Sequence, residues 1–131
     1  MTQNVLVHMM LMALGVVVLL GAGFIGARDK GGKKLNTHKA LGGIGVVLVL
    51  VGAAGLVVTR ALRPTLPHFY IALLAIMFMI LTPIGGSLYV KAPPAKKAAL
   101  RKSHRFDAAV FFGLVALAVI FGIVGVLSMR R

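Results

Sequence analysis

Four long apolar stretches, separated by short charged or proline-containing segments, make up almost the whole chain. Each stretch is long enough to cross a bilayer as a helix, which takes about 20 residues. The predicted spans are residues 4–27, 37–60, 67–91 and 103–129. Because short loops join consecutive spans, the pattern predicts a single domain, an all-α integral membrane protein folded as an antiparallel four-helix transmembrane bundle. A cleaved signal peptide is the alternative for the first stretch, but Met1 to Asn4 provide no basic region before it.

Composition excludes a soluble domain, since 60% of the residues are hydrophobic and the mean hydropathy is +1.00. Four spans use nearly all of the 131 residues, which leaves no room for a separate catalytic domain. The chain has no cysteine. Disulfides, iron–sulfur clusters, thiolate zinc and covalently attached c-type haem are therefore excluded.

The basic residues are distributed unequally between the two ends of the predicted spans. Eleven of the fifteen basic residues lie in or beside the first and third loops, at one side of the membrane. The other side has only four, which are Arg60, Arg63, Arg130 and Arg131. The positive-inside rule places those two loops in the cytoplasm and both termini outside, in the plasma membrane of a bacterium or archaeon. The eleven are Arg28, Lys30, Lys33, Lys34, Lys39, Lys91, Lys96, Lys97, Arg101, Lys102 and Arg105.

This topology accounts for most of the formal charge of +13. The basic residues flank spans and belong to no recognisable nucleic-acid-binding module, so nucleic acid is not an expected partner. The expected partners are the lipid bilayer and redox proteins, with an acidic protein or anionic lipid at the inner face.

The four histidines each begin an apolar stretch, at intervals of 30, 30 and 36 residues. With alternating spans, His8 and His68 lie near the outer face, and His38 and His104 lie near the inner face. Helices one and three of a bundle are diagonal neighbours, as are helices two and four. Each pair of imidazoles can therefore meet across the interior and hold one haem iron. The sequence predicts two haem b groups with bis-histidine ligation, the outer on His8 and His68 and the inner on His38 and His104.

Small residues occur at the same depths as the histidines, on the helices that would face the haem planes. A helix can approach the plane of a porphyrin closely only where its side chains are small. The alternative is that these glycines mark helix packing, since glycine is common where transmembrane helices pack. At the outer level these residues are Gly52, Ala53, Ala54, Gly55, Gly122 and Gly125. At the inner level they are Gly21, Gly23, Gly26, Gly85 and Gly86.

Two other interpretations of the histidines remain open. Any single histidine is compatible with an ordinary polar residue at the membrane interface. Zinc or copper is a weaker alternative, because each level offers two histidines without a nearby Cys or Glu. Met9 and Met10 would add a ligand only for copper, and a methionine can also replace one axial histidine of a haem.

One histidine per helix, with alternate helices paired, resembles the cytochrome b561 family. The likeness covers essentially the whole chain, and the segment Thr37 to Gly42 is similar to that family's histidine-led helix start. The resemblance implies a four-helix core with haem ligands at His8, His38, His68 and His104.

Charged residues near the two levels are candidates for contact with the haem propionates. Lys39 and Arg105 lie near the inner pair, and Arg60 and Arg63 lie near the outer pair. The alternative is that they are interfacial residues with their charges in the headgroups. Asp107 follows His104 by three residues and is a candidate to orient it, to pair with a basic neighbour or to accept a proton.

The predicted function is electron transfer across the membrane between an inner-face and an outer-face partner. Quinone is a candidate for one of these partners. Oxidoreductase activity toward quinone or a small oxidant stays open, as does assembly as a homodimer or as the haem anchor of a larger complex. The rival interpretation is a small four-span transporter or a cofactor-free assembly subunit. The near absence of acidic residues disfavours an ion-coupled transporter.

Overall fold

A computed structural model describes residues 3–29, 31–60 and 67–128, and almost all of them are helical. Helix α1 spans Gln3–Arg28, α2 Leu35–Val58, α3 Pro67–Lys91 and α4 Pro94–Ser128. All four are long and apolar enough to cross a membrane. The all-α class and the four membrane-spanning helices of an integral membrane protein are confirmed.

The helices form two hairpins. In the N-terminal hairpin α1 packs against α2, within a unit that covers Met1–Leu62. In the C-terminal hairpin α3 packs against α4, within a unit that covers Arg63–Arg131. In each hairpin the start of one helix lies beside the later part of its partner, so the two helices are antiparallel.

Glycine sets the packing distance in the N-terminal hairpin. The buried residues are Gly15, Leu19 and Ala22 of α1 and Gly45, Val49 and Gly52 of α2. A Cβ atom added at Gly15 would lie 2.8 Å from Cγ2 of Val49, and one added at Gly45 would lie 2.6 Å from Cγ of Leu19. Because such contacts are shorter than van der Waals distance, the two helices approach as closely as they do only with glycine at both positions.

The C-terminal hairpin buries the same helix positions with larger side chains. Ala75 and Phe111 are each buried seven residues after the histidine of their helix, where the N-terminal hairpin has Gly15 and Gly45. Met79 is the most deeply buried large side chain of the described residues. The position seven residues after the histidine is therefore buried in all four helices, although the residue differs between the two hairpins.

Most apolar side chains of each helix face away from the partner helix. Only 11–17% of the most apolar window of each helix is buried. The remaining apolar surface suits lipid or another apolar protein surface, and water would not solvate it favourably.

Helix α4 begins at Pro94, so it includes the basic segment 94–102 ahead of the predicted span 103–129. Helix α2 has its N-cap at Lys34, without a side-chain cap. Asp29 holds the turn before this helix, since its two carboxylate oxygens accept the backbone N–H groups of Lys33 (3.1 Å) and Lys34 (2.8 Å).

Candidate functional site

The imidazole of His8 makes a hydrogen bond to the neighbouring helix. Its Nδ1 lies 2.9 Å from the backbone carbonyl oxygen of Gly52. A carbonyl oxygen only accepts hydrogen bonds, so Nδ1 carries the hydrogen and donates it. In the neutral ring this tautomer puts the lone pair on Nε2, the nitrogen that would ligate a metal.

The other three histidines repeat this contact. Nδ1 of His38 lies 2.7 Å from the Ala22 carbonyl, Nδ1 of His68 lies 2.7 Å from the Ala118 carbonyl, and Nδ1 of His104 lies 2.8 Å from the Thr82 carbonyl. All four rings are half-buried within their own hairpin.

The contacts follow a single positional rule. Each histidine donates to the carbonyl that lies fourteen positions after the histidine of the partner helix. A helical carbonyl keeps a second lone pair after it has accepted its own helix's N–H, so the imidazole does not break the helix. The rule holds in both directions in both hairpins.

Glycines leave the space that three of these rings occupy. A Cβ atom would lie 2.7 Å from His38 Nδ1 if added at Gly26, 3.1 Å from His104 Cε1 at Gly86, and 3.1 Å from His68 Nδ1 at Gly122. The small residues predicted at the histidine levels are therefore present, but these three accommodate an imidazole of the same hairpin. Gly21 and Gly55 have no atom within 4 Å of an added Cβ among those described, and space for a porphyrin there stays a prediction.

Each hairpin holds its two histidines at two well-separated levels. His8 and Gly52 mark one level of the N-terminal hairpin, and His38 and Ala22 mark the other. Fourteen residues of helix separate the levels by about 21 Å at 1.5 Å per residue. The C-terminal hairpin has the same spacing between His68 and Thr82. One hairpin therefore supplies one histidine per level, and its two histidines cannot bind the same iron.

Each predicted pair, His8 with His68 or His38 with His104, combines one histidine of the N-terminal hairpin with one of the C-terminal hairpin. Both pairs stay predictions. Among residues 3–29, 31–60 and 67–128, no group of three or more His, Cys, Asp or Glu side chains could hold a metal ion. A zinc or copper site built by protein ligands usually needs such a group, whereas a haem brings four nitrogen ligands of its own and needs two histidines.

Three of the four basic residues assigned to the propionates are exposed, namely Lys39, Arg60 and Arg105. Lys39 and Arg105 directly follow a histidine, and adjacent helical residues point about 100° apart, so both project away from the ring beside them. Arg60 follows the end of α2 with φ of 53°. Arg63 lies outside the described residues. Their contact with propionates stays a prediction.

A cavity of about 290 Å³ opens beside His8 on the N-terminal hairpin. Gln3, Asn4 and Thr59 provide its polar lining, and Thr59 donates its hydroxyl hydrogen to the Gly55 carbonyl. The cavity places unfilled space and polar groups at the level of His8.

Asp107 is half-buried in the C-terminal hairpin, near Gly85. An added Cβ at Gly85 would lie 3.6 Å from its Oδ2 atom. The backbone carbonyl of Thr82 accepts the Nδ1 hydrogen of His104, so orienting that nitrogen does not require the carboxylate. A role in ion pairing or proton transfer stays a prediction.

Sequence reasoning placed the four histidines but missed the carbonyls that hold them. The sequence does contain a signal for the shared packing, because α1 and α2 carry the same six residues at the same distances from their histidines. Within this repeat, the glycine seven residues after each histidine marks the position where the two helices pack closely. The six pairs are His8 and His38, Leu11 and Leu41, Gly15 and Gly45, Val16 and Val46, Val17 and Val47, and Leu20 and Leu50.

No protein-family model, curated protein or solved structure matches this chain. The resemblance to the cytochrome b561 family therefore rests on the four histidines and stays a prediction.

Proposed function

We propose that the protein is a di-haem b-type cytochrome that carries electrons across the membrane between an inner-face and an outer-face partner. A quinone is one candidate for either partner. The observation that carries the proposal is the orientation of the four histidines, each of which donates Nδ1–H to a backbone carbonyl. Metal-bound histidines almost always donate their other ring N–H to a carboxylate, a backbone carbonyl or water, because this bond fixes the tautomer and the orientation of the ring.

The residues present fit a non-covalently held haem. The two histidines of one hairpin and the two of the other could together supply two nitrogen ligands to each of two haem irons, and the absence of cysteine leaves b-type attachment. His8 and His68 would hold the outer haem, and His38 and His104 the inner one. When bound, haem b supplies a reversible one-electron iron couple.

The hydrogen bonds satisfy the N–H group of each histidine and fix the orientation of its ring. An imidazole in apolar surroundings needs a partner for its N–H, and each backbone carbonyl provides one without a second polar side chain. The ring is thereby fixed relative to the rigid helix pair before any ligand binds, which lowers the ordering cost of ligation.

We further propose that both termini face outward and that the turns after α1 and α3 face the cytoplasm of a bacterial or archaeal cell. The supporting feature is the excess of Lys and Arg at those two turns. With this orientation His38 and His104 lie near the cytoplasmic side. The two haem levels would then connect the two faces of one membrane.

The test is the haem content of the protein purified from haem-replete cells. A pyridine haemochrome assay should give about two haem b per chain, and the reduced spectrum should show bis-histidine bands. His8→Gln and His68→Gln should remove one spectral component, and His38→Gln and His104→Gln the other. Glutamine keeps a hydrogen-bonding side chain, so an interfacial polar role would survive this substitution.

A matched control is Thr82→Val, which changes a side chain at the inner level but keeps the carbonyl that accepts from His104. It should retain both haems. A protein without visible-region absorption would overturn the proposal in favour of a cofactor-free subunit or transporter. Loss of the same component in His8→Gln and His38→Gln would overturn the pairing.

A further inference from the structure

The turn between α1 and α2 forms a cationic cavity that the proposed electron transfer does not use. Its volume is about 230 Å³, and it is lined by Phe24, Ile25, Arg28, Asp29, Lys33 and Lys34. Three cations and one carboxylate give this lining a net formal charge of +2.

The carboxylate of Asp29 is already engaged by the turn itself. Its two oxygens accept the backbone N–H groups of Lys33 and Lys34. Both lysine side chains are exposed, and the two hydrogen bonds restrain the turn on which they lie. The three cations of the lining therefore outnumber a single carboxylate whose two oxygens already accept hydrogen bonds.

Arg28 is held over an aromatic ring. Its guanidinium carbon lies 4.1 Å from the centroid of Phe24, one helical turn earlier. This cation–π contact restrains the side chain while the N–H groups at the edge of the guanidinium stay available to an anion. A planar guanidinium with several N–H donors matches the oxygen atoms of a phosphate.

The cavity lies where a membrane helix ends. Phe24 and Ile25 belong to the last turns of the apolar stretch, and Arg28 is the final residue of α1. The Phe24 side chain is 57% exposed at that depth. A ligand in this cavity would meet cations on one side and exposed apolar helix surface on the other, which is the arrangement of a phospholipid headgroup above its acyl chains.

We propose that this cavity binds the phosphate group of an anionic phospholipid. A free phosphate ion would satisfy the cations but would gain nothing from Phe24, Ile25 and the apolar helix below them. A zwitterionic lipid would bring its own cation to a lining that is already positive. The proposal stands independently of haem binding.

The test is equilibrium lipid binding to the full chain in neutral detergent micelles, followed by native mass spectrometry. Dioleoyl phosphatidylglycerol should bind about tenfold more tightly than dioleoyl phosphatidylcholine. The variant Arg28→Gln/Lys33→Gln/Lys34→Gln should lose most of this preference. The control Lys96→Gln/Lys97→Gln/Lys102→Gln removes the same charge from the exposed start of α4 and should keep it.

The variant Phe24→Leu tests whether lipid binding depends on the shape of the cavity or only on its charge, because this substitution changes no charge. It should weaken phosphatidylglycerol binding by about two- to fivefold through loss of the contact that positions Arg28. Equal losses in the two triple variants, or equal binding of the two lipids, would overturn the proposal. So would displacement of the lipid by inorganic phosphate at an equal concentration.

Discussion

The ring of His38 lies directly against Gly26 of the neighbouring helix, where an added Cβ atom would be 2.7 Å from Nδ1 and 2.8 Å from Cε1. The ring's hydrogen bond to the Ala22 carbonyl fixes it in that place. Glycine at residue 26 is therefore a steric requirement of the histidine.

Gly26→Ala should destabilise the protein. The new methyl group forces the His38 ring or the helix to move, and overpacking of this kind costs about 1–3 kcal/mol. The matched control is Gly21→Ala, where a Cβ meets no described atom within 4 Å. Because alanine favours helix over glycine, the control should be neutral or gain up to about 1 kcal/mol.

Thermal unfolding followed by circular dichroism in detergent measures both variants. Equal melting temperatures for Gly26→Ala and Gly21→Ala would contradict the close contact. In the haem-loaded protein the proposed function adds that Gly26→Ala lowers the occupancy of the inner haem.

The histidine tautomers can be measured without haem. All four Nδ1 atoms lie beside carbonyl oxygens, which only accept hydrogen bonds. At alkaline pH, nitrogen NMR of protein labelled with ¹⁵N-histidine should therefore show the hydrogen on Nδ1 and an unprotonated Nε2. Unfolding should abolish the uniform preference. Folded protein with hydrogen mainly on Nε2 would contradict the geometry on which the proposed function depends.

Asp29→Ala should loosen the turn between α1 and α2. It removes the acceptor for two backbone N–H groups of the turn, and a hydrogen bond contributes about 1 kcal/mol to stability. Asp29→Asn keeps one acceptor oxygen and should lose less. Hydrogen exchange at the amides of Lys33 and Lys34 gives a local readout, and unchanged exchange in Asp29→Ala would show that the carboxylate does not hold the turn.

The proposed orientation predicts which residues react from outside the cell. The chain has no native cysteine, so single cysteines report cleanly. In intact cells a membrane-impermeant maleimide should label Asn4→Cys and leave Lys97→Cys unlabelled, because the charge bias places the turn after α3 inside. Both should react after permeabilisation. The reverse labelling would invert the topology and exchange the faces assigned to the two haems.

Sequence alone determined the fold class and the positions of the candidate ligands. Twenty or so consecutive apolar residues must form helix inside a bilayer, since no water is present to satisfy exposed backbone groups, and this holds regardless of what each helix contacts. The four spans follow from that constraint, and one histidine falls within each span.

Only tertiary structure decided what each histidine contacts. The acceptor of His8 is a backbone carbonyl 44 residues away, and a carbonyl leaves no mark in the sequence because every residue has one. The register that brings Gly52 to His8 and Ala22 to His38 depends on how closely α1 and α2 approach at Gly15 and Gly45. That approach is a property of two packed surfaces, which neither helix carries by itself.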